Sequence, residues 1–169
     1  LVLNDNAITV AYMTSGNIAV FDHDVRRYVD FLVRLAHDRQ LDVAAIEAMR
    51  DRVYGFLDAK HPGDVDTPEV QDIKRIIRES EAISGIETLA MQSSAARFLN
   101  LPFYQTGKVR KDPIGPADVA IVKAAIEDTR PAIIFVAGDL SDPHGTHRMC
   151  KEAIEGALDA LRAEGKPTP

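Results

Sequence analysis

The densest collection of reactive side chains lies at Gly138-Asp139-Leu140-Ser141-Asp142-Pro143-His144-Gly145-Thr146-His147-Arg148. Two carboxylates, two imidazoles and a guanidinium fall within these eleven residues. The three-residue spacing of His144 and His147 places both rings on one side of a helical turn. Imidazole is a common zinc ligand, and neighbouring carboxylates orient it through the second ring nitrogen. The pattern fits a metal or catalytic site. By spacing alone that signal is weak, and the plainer reading is a polar strand-to-helix loop in which Asp142 caps the helix and both histidines are solvated. A second candidate, Thr14-Ser15-Gly16-Asn17, follows the first expected strand. Both segments stand beyond the carboxyl end of a strand, where open α/β sheets bind their ligands.

The remaining reactive residues read as ordinary surface or packing groups. His23 and His37 lie on or beside a helix, and His61 sits beside Pro62 in a loop. Arg78 and Glu81, three apart on a helix, form a surface ion pair. Cys150 fills space one turn into the last helix. Lys108, Arg110 and Lys111 make an exposed basic loop, with a phosphate as the alternative partner. Phosphate cradles of the Walker or Gly-x-Gly-x-x-Gly type are absent, as is a Gly-x-Ser-x-Gly elbow.

The elements that would position these groups follow from hydrophobic period and breakers. Residues 7–13 are apolar and β-branched and end at a Ser-Gly-Asn turn, which predicts a strand. Residues 23–38 carry Val25, Tyr28, Leu32 and Leu35 on one helical face. A second helix carries Ile46, Met49, Val53 and Phe56 or Leu57, and stops at Lys60-His61-Pro62-Gly63. Thr67-Pro68-Glu69 starts a third, with Thr67 as N-cap and Val70, Ile73 and Ile77 inward. A break at Gly85 predicts a separate helix from there to Ser94. Arg97–Leu101 is a short strand ended by Pro102, and Pro116 opens a helix striped by Val119, Val122 and Ile126. Ile133-Ile134-Phe135-Val136-Ala137 is the strongest strand signal, an unbroken apolar run expected to be covered on both faces. Residues 144–163 form the last helix. Strands alternating with helices predict an α/β fold with a mostly parallel sheet.

Length and charge bound the function. The 169 residues suit one domain, taken as 1–165 with a flexible tail at 166–169. Twenty basic against twenty-six acidic residues leave a net charge of −6, which disfavours nucleic acid and anionic membranes as partners. No apolar run approaches the roughly 18 residues of a membrane span, and no signal-peptide pattern opens the chain. One cysteine excludes an internal disulfide and fits a reducing cytoplasm. The chain opens on Leu1 and reaches a core-like strand almost at once, which reads as an excerpt from a longer polypeptide.

Residues 137–148 resemble the downstream motif of the PIG-L/LmbE-like zinc de-N-acetylases, in the variant fused to glucosamine-6-phosphate deaminase-like proteins. Val10–Val20, Pro62–Val70 and Leu101–Gly107 agree, so the resemblance covers about residues 8–162. It implies a Rossmann-like three-layer αβα fold, truncated at both ends here, and hydrolysis of an N-acetyl group on an amino sugar or sugar phosphate. It implies zinc held by His147, an oxyanion-stabilising role for His144, and a pocket role for Arg78 with Glu81. The family's upstream His-Pro-Asp-Asp segment does not occur in this sequence, and with it go two zinc ligands and the general base. One imidazole falls short of the usual three protein ligands. The expectation is therefore a part of a de-N-acetylase, inactive as this chain alone. The alternative is a non-catalytic module of, or partner to, a glucosamine-6-phosphate deaminase, with a homo-oligomer or a fused deaminase domain as partner.

Overall fold

The structure is a computed structural model that describes residues 6–137, 141 and 145–169. Five α-helices and one two-stranded sheet are present among these residues. In chain order they are β1 (Val10–Tyr12), α1 (Asp22–Arg39), α2 (Val43–Ala59), α3 (Pro68–Thr88), β2 (Ala96–Phe98), α4 (Pro116–Thr129) and α5 (Thr146–Ala163). They divide into two compact units, one of residues 16–82 with 107–109, the other of the remaining described residues. The border falls within α3.

The first unit is helical. Gln40 closes α1 in the left-handed region, and its N–H donates to the Ala36 carbonyl. Asp42 then caps α2 by accepting from the Ala45 N–H at 3.1 Å. So short a connection lets α1 and α2 pack together, and their core is Val20, Val25, Val29, Val53, Leu57, Val70 and Ile77. Each such side chain contributes roughly 1.5–3 kcal/mol by leaving water.

The buried stripe of α1 departs from expectation. It runs through Val25, Val29 and Ala36, while Tyr28 and Leu32 are exposed. The apolar residues of α1 cover a sector too wide for one partner, and the compact β-branched side won the interface with α2. The predicted break at Gly85 is also absent: α3 is continuous to Thr88. A mid-helix glycine costs only about 1 kcal/mol, and burial of Ile86 just beyond it offsets that cost.

An ionic cluster lies beneath the helices. Lys74 occupies a core-facing position of α3, between Val70 and Ile77, with its side chain 4% exposed. Its ammonium lies 2.6 Å from Asp22 Oδ1 and 2.7 Å from Asp66 Oδ2. Lys60 completes the set, 2.9 Å from Asp22 Oδ2 and 2.7 Å from Asp66 Oδ1. Burial alone would raise the Asp22 carboxyl, but hydrogen bonds from Lys74 and Lys60 override it and hold the group below its ordinary value. Burial likewise opposes the charge on Lys60, and bonds to Asp66 and Asp22 outweigh it and raise that ammonium.

In the second unit β1 and β2 pair in parallel, with Val10 opposite Ala96 and Tyr12 opposite Phe98. The Tyr12 and Phe98 rings stack at 5.2 Å. The pairing continues past both strands, since the N–H groups of Leu99 and Leu101 donate to the carbonyls of Tyr12 and Met13, each at 2.9 Å. Helices α4 and α5 pack closely where Gly156 meets Val119; a Cβ on Gly156 would stand 3.1 Å from a Val119 methyl. Buried Val122, Ile126, Ala153, Ala157 and Leu161 fill these two helices' inner faces.

The third expected strand did not form. Residues 133–137 belong to no ladder, and Ile133, Phe135 and Val136 are exposed. The apolar pattern suits a strand, but a strand exists only when a neighbour accepts its hydrogen bonds. Among the described residues none does.

The chain's end is anchored at Lys166. Its N–H donates to the Leu161 carbonyl, and its ammonium bonds Glu127 and sits 2.8 Å from Glu164. Hydrogen bonds from Lys123 and Lys166 pull the Glu164 carboxyl down to about 2. A depressed folded value contributes stability above the unfolded value of 4.5, lost as pH falls through about 2. We expect the Glu164 carboxyl resonance to titrate near 2, and to rise toward 4.5 in Lys166→Met. Added salt should move it the same way, because exposed pairs are screened.

Candidate functional site

His147 is the second residue of α5 and is exposed. Gly145 precedes the helix with φ 69°. His144 itself, with Asp139 and Asp142, lies outside the described residues. A Cβ on Gly145 would stand 3.1 Å from Arg148 Nη2, so Arg148 folds back over the turn. Cys150 is half-buried and not in a disulfide. Among the described residues no three His, Cys, Asp or Glu side chains are grouped to hold a metal ion.

Arg78 belongs to the helical unit and bonds Glu81, as its spacing predicts. Its placement adds something the spacing did not show. Gly16, with φ 65°, lets the Arg78 side chain lie against the turn after β1: a Cβ there would stand 3.2 Å from Arg78 Nε. Within the helical unit, Gly16 of the loop expected to face a ligand and the arginine expected to serve a pocket are thus in contact. Next in the turn, Asn17 is buried, and its Oδ1 has no hydrogen-bond partner.

In the sheet unit, two more buried acceptors stand beyond the carboxyl ends of the parallel pair. Ser15 Oγ follows β1 and Asn100 Oδ1 follows β2, and neither has a hydrogen-bond partner. Asn100 also has φ 47°, a left-handed conformation that asparagine tolerates better than most residues. Each buried group left unpaired costs about 1–3 kcal/mol. Such orphans at strand ends call for a donor, and ligand hydroxyl or amino groups would supply one. Ser15 and Asn17 were within a predicted candidate segment. Asn100 was missed, and its only signal is an Asn placed directly before Leu-Pro at a strand's end.

The other histidines occupy the surface. His23 stacks on Phe21 at 5.4 Å, His37 bonds Glu47 at 3.0 Å, and His61 lies 3.6 Å from Asp64. In the basic loop, Lys111 lies over the Tyr104 ring at 4.8 Å, and burial lowers its ammonium below the ordinary value. Lys108 and Arg110 are exposed.

The chain is 41% identical over 167 residues to a glucosamine-6-phosphate deaminase-like protein of Bacteroides thetaiotaomicron. That alignment takes in 98% of this chain and 25% of the relative. The chain therefore spans about a quarter of the length of the curated relative it matches. No protein-family profile matches it. No solved structure matches it either. Among the described residues, no helix is long and apolar enough to cross a membrane.

Proposed function

We propose that this chain is a module of a longer glucosamine-6-phosphate deaminase-like protein and serves the handling of amino sugar phosphates without performing the chemistry alone. The observation that carries this reading is the 41% identity across nearly the whole chain to a protein of that name. The unpaired acceptors Ser15 Oγ and Asn100 Oδ1 suit a ligand rich in hydroxyl and amino donors, as an amino sugar is. Product analysis with glucosamine 6-phosphate tests it. The complete polypeptide should release ammonia, and the 169-residue chain should release none.

A second reading, a PIG-L/LmbE-like amide hydrolase on a three-layer Rossmann-like sheet, draws on the placement of Arg78 against the Gly16 turn. Its substrate would be an N-acetylated amino sugar, and its metal zinc. The described residues offer His147 as one imidazole donor, which does not fit a complete zinc site, so no step is drawn through the metal. The reading needs ligands from His144 or from sequence beyond this chain. Metal analysis of the purified chain separates the two. The module reading expects substoichiometric zinc, unchanged by His147→Ala. Near-stoichiometric zinc that His147→Ala abolishes would favour the hydrolase.

A further inference from the structure

Residues 131–137, Pro131-Ala132-Ile133-Ile134-Phe135-Val136-Ala137, combine two properties that do not coexist comfortably in water. Their side chains are those of a strand buried on both faces, yet Ile133 is 66% exposed and Phe135 74%. In a strand Ile133 and Phe135 would share one face and Ile134 and Val136 the other; Val136 is 42% exposed and Ile134 half-buried. Neither face is fully covered. Among the described residues, no hydrogen bond involves the backbone of residues 132–137.

The sheet in the same unit is undersized by the same measure. It has two strands of three residues each, in parallel. Parallel sheets are stable when both faces are covered and several strands share the ladder. Here Ala11, the middle residue of β1, is exposed, and no residue of β1 or β2 is fully buried. A ready strand and a short sheet thus stand in one unit without completing each other.

The geometry points to residues 132–137 as a docking strand whose partner is an extended apolar segment supplied by polypeptide beyond these 169 residues. The relative that matches 98% of this chain devotes three quarters of its own length to other sequence, ample to contribute a strand. A second copy of this chain is the competing occupant. It offers the same exposed strand, and pairing two such strands would leave their outer edges open to further copies. The inference rests on the reading of the chain as part of a longer protein, but not on what that protein catalyses.

Hydrogen–deuterium exchange tests it on the 169-residue chain and on the complete polypeptide. Amides 132–137 should exchange at unprotected rates in the first and at least 100-fold more slowly in the second. Phe135→Lys should leave the melting temperature of the 169-residue chain unchanged and remove that protection from the complete polypeptide. Equal exchange in both proteins would overturn the inference. So would protection in the isolated chain that grows with concentration, which assigns the strand to a second copy, or a reading frame that encodes nothing more. Slowed exchange in a polypeptide that releases no ammonia would leave the docking strand standing and remove the deaminase reading.

Discussion

Replacing Lys74 with alanine should destabilise the helical unit by about 3–5 kcal/mol, the range for stripping one partner from a buried ion pair. For a chain of this size that corresponds to a fall in melting temperature of roughly 10 °C. The cause is specific. Lys74 and Lys60 alternate with Asp22 and Asp66, so each carboxylate receives two ammonium groups. Without Lys74, the nearly buried Asp66 and its neighbour share one cation, and their mutual repulsion is no longer compensated. Pairing Lys74→Met with Asp66→Leu should restore much of the loss, because it removes a charge of each sign. Thermal and urea denaturation followed by circular dichroism would measure both. A loss below about 1 kcal/mol for the single variant would mean the cluster is solvated and the cost of breaking it negligible. Acid should act in the same direction. The Asp22 contribution is fully present above its ordinary value of 3.8 and is lost as pH falls through its lower folded value.

Asp118→Ala should cost about 2–4 kcal/mol, because two backbone donors lose their acceptor at once. Asp118 is buried in the first turn of α4. Its Oδ1 accepts from the Phe103 N–H at 2.9 Å and its Oδ2 from the Gly115 N–H at 2.8 Å. The first bond ties the turn after β2 to the helix. The second closes the helix's own N-terminus, where a carboxylate is favoured by the dipole. Asp118→Asn keeps one acceptor oxygen and should lose about half as much. Denaturant midpoints of the two variants would check the order. Equal losses would show that charge matters more than the count of acceptors.

The helices were legible because their signals are local. Pro116 and Thr67-Pro68 mark two starts, and the 3.6-residue stripes of α2 and α3 put Val53, Leu57, Val70 and Ile77 where burial finds them. Lys74 was legible in principle, as a lysine at a core-facing position. Its meaning was hidden in Asp22 and Asp66, which the chain brings together from 52 and 8 residues away. The failures were non-local. Residues 133–137 have a strand's composition, but pairing is a property of two segments, and among the described residues no second segment pairs with them. The choice between Val29 and Leu32 as the inward side of α1 depended on α2, not on α1. At the candidate site, Arg78 and the Thr14–Asn17 loop could each be named from sequence. Their contact at Gly16 could not, since it joins segments sixty residues apart. Asn100 carried no chemical motif at all.

Product analysis bears most directly on the functional account. Glucosamine 6-phosphate and its N-acetylated form would be offered separately to the complete polypeptide and to the 169-residue chain, with ammonia and acetate both quantified. The account predicts ammonia from glucosamine 6-phosphate with the complete polypeptide, and neither product from the 169-residue chain. Acetate released by the 169-residue chain from the N-acetylated sugar would contradict it.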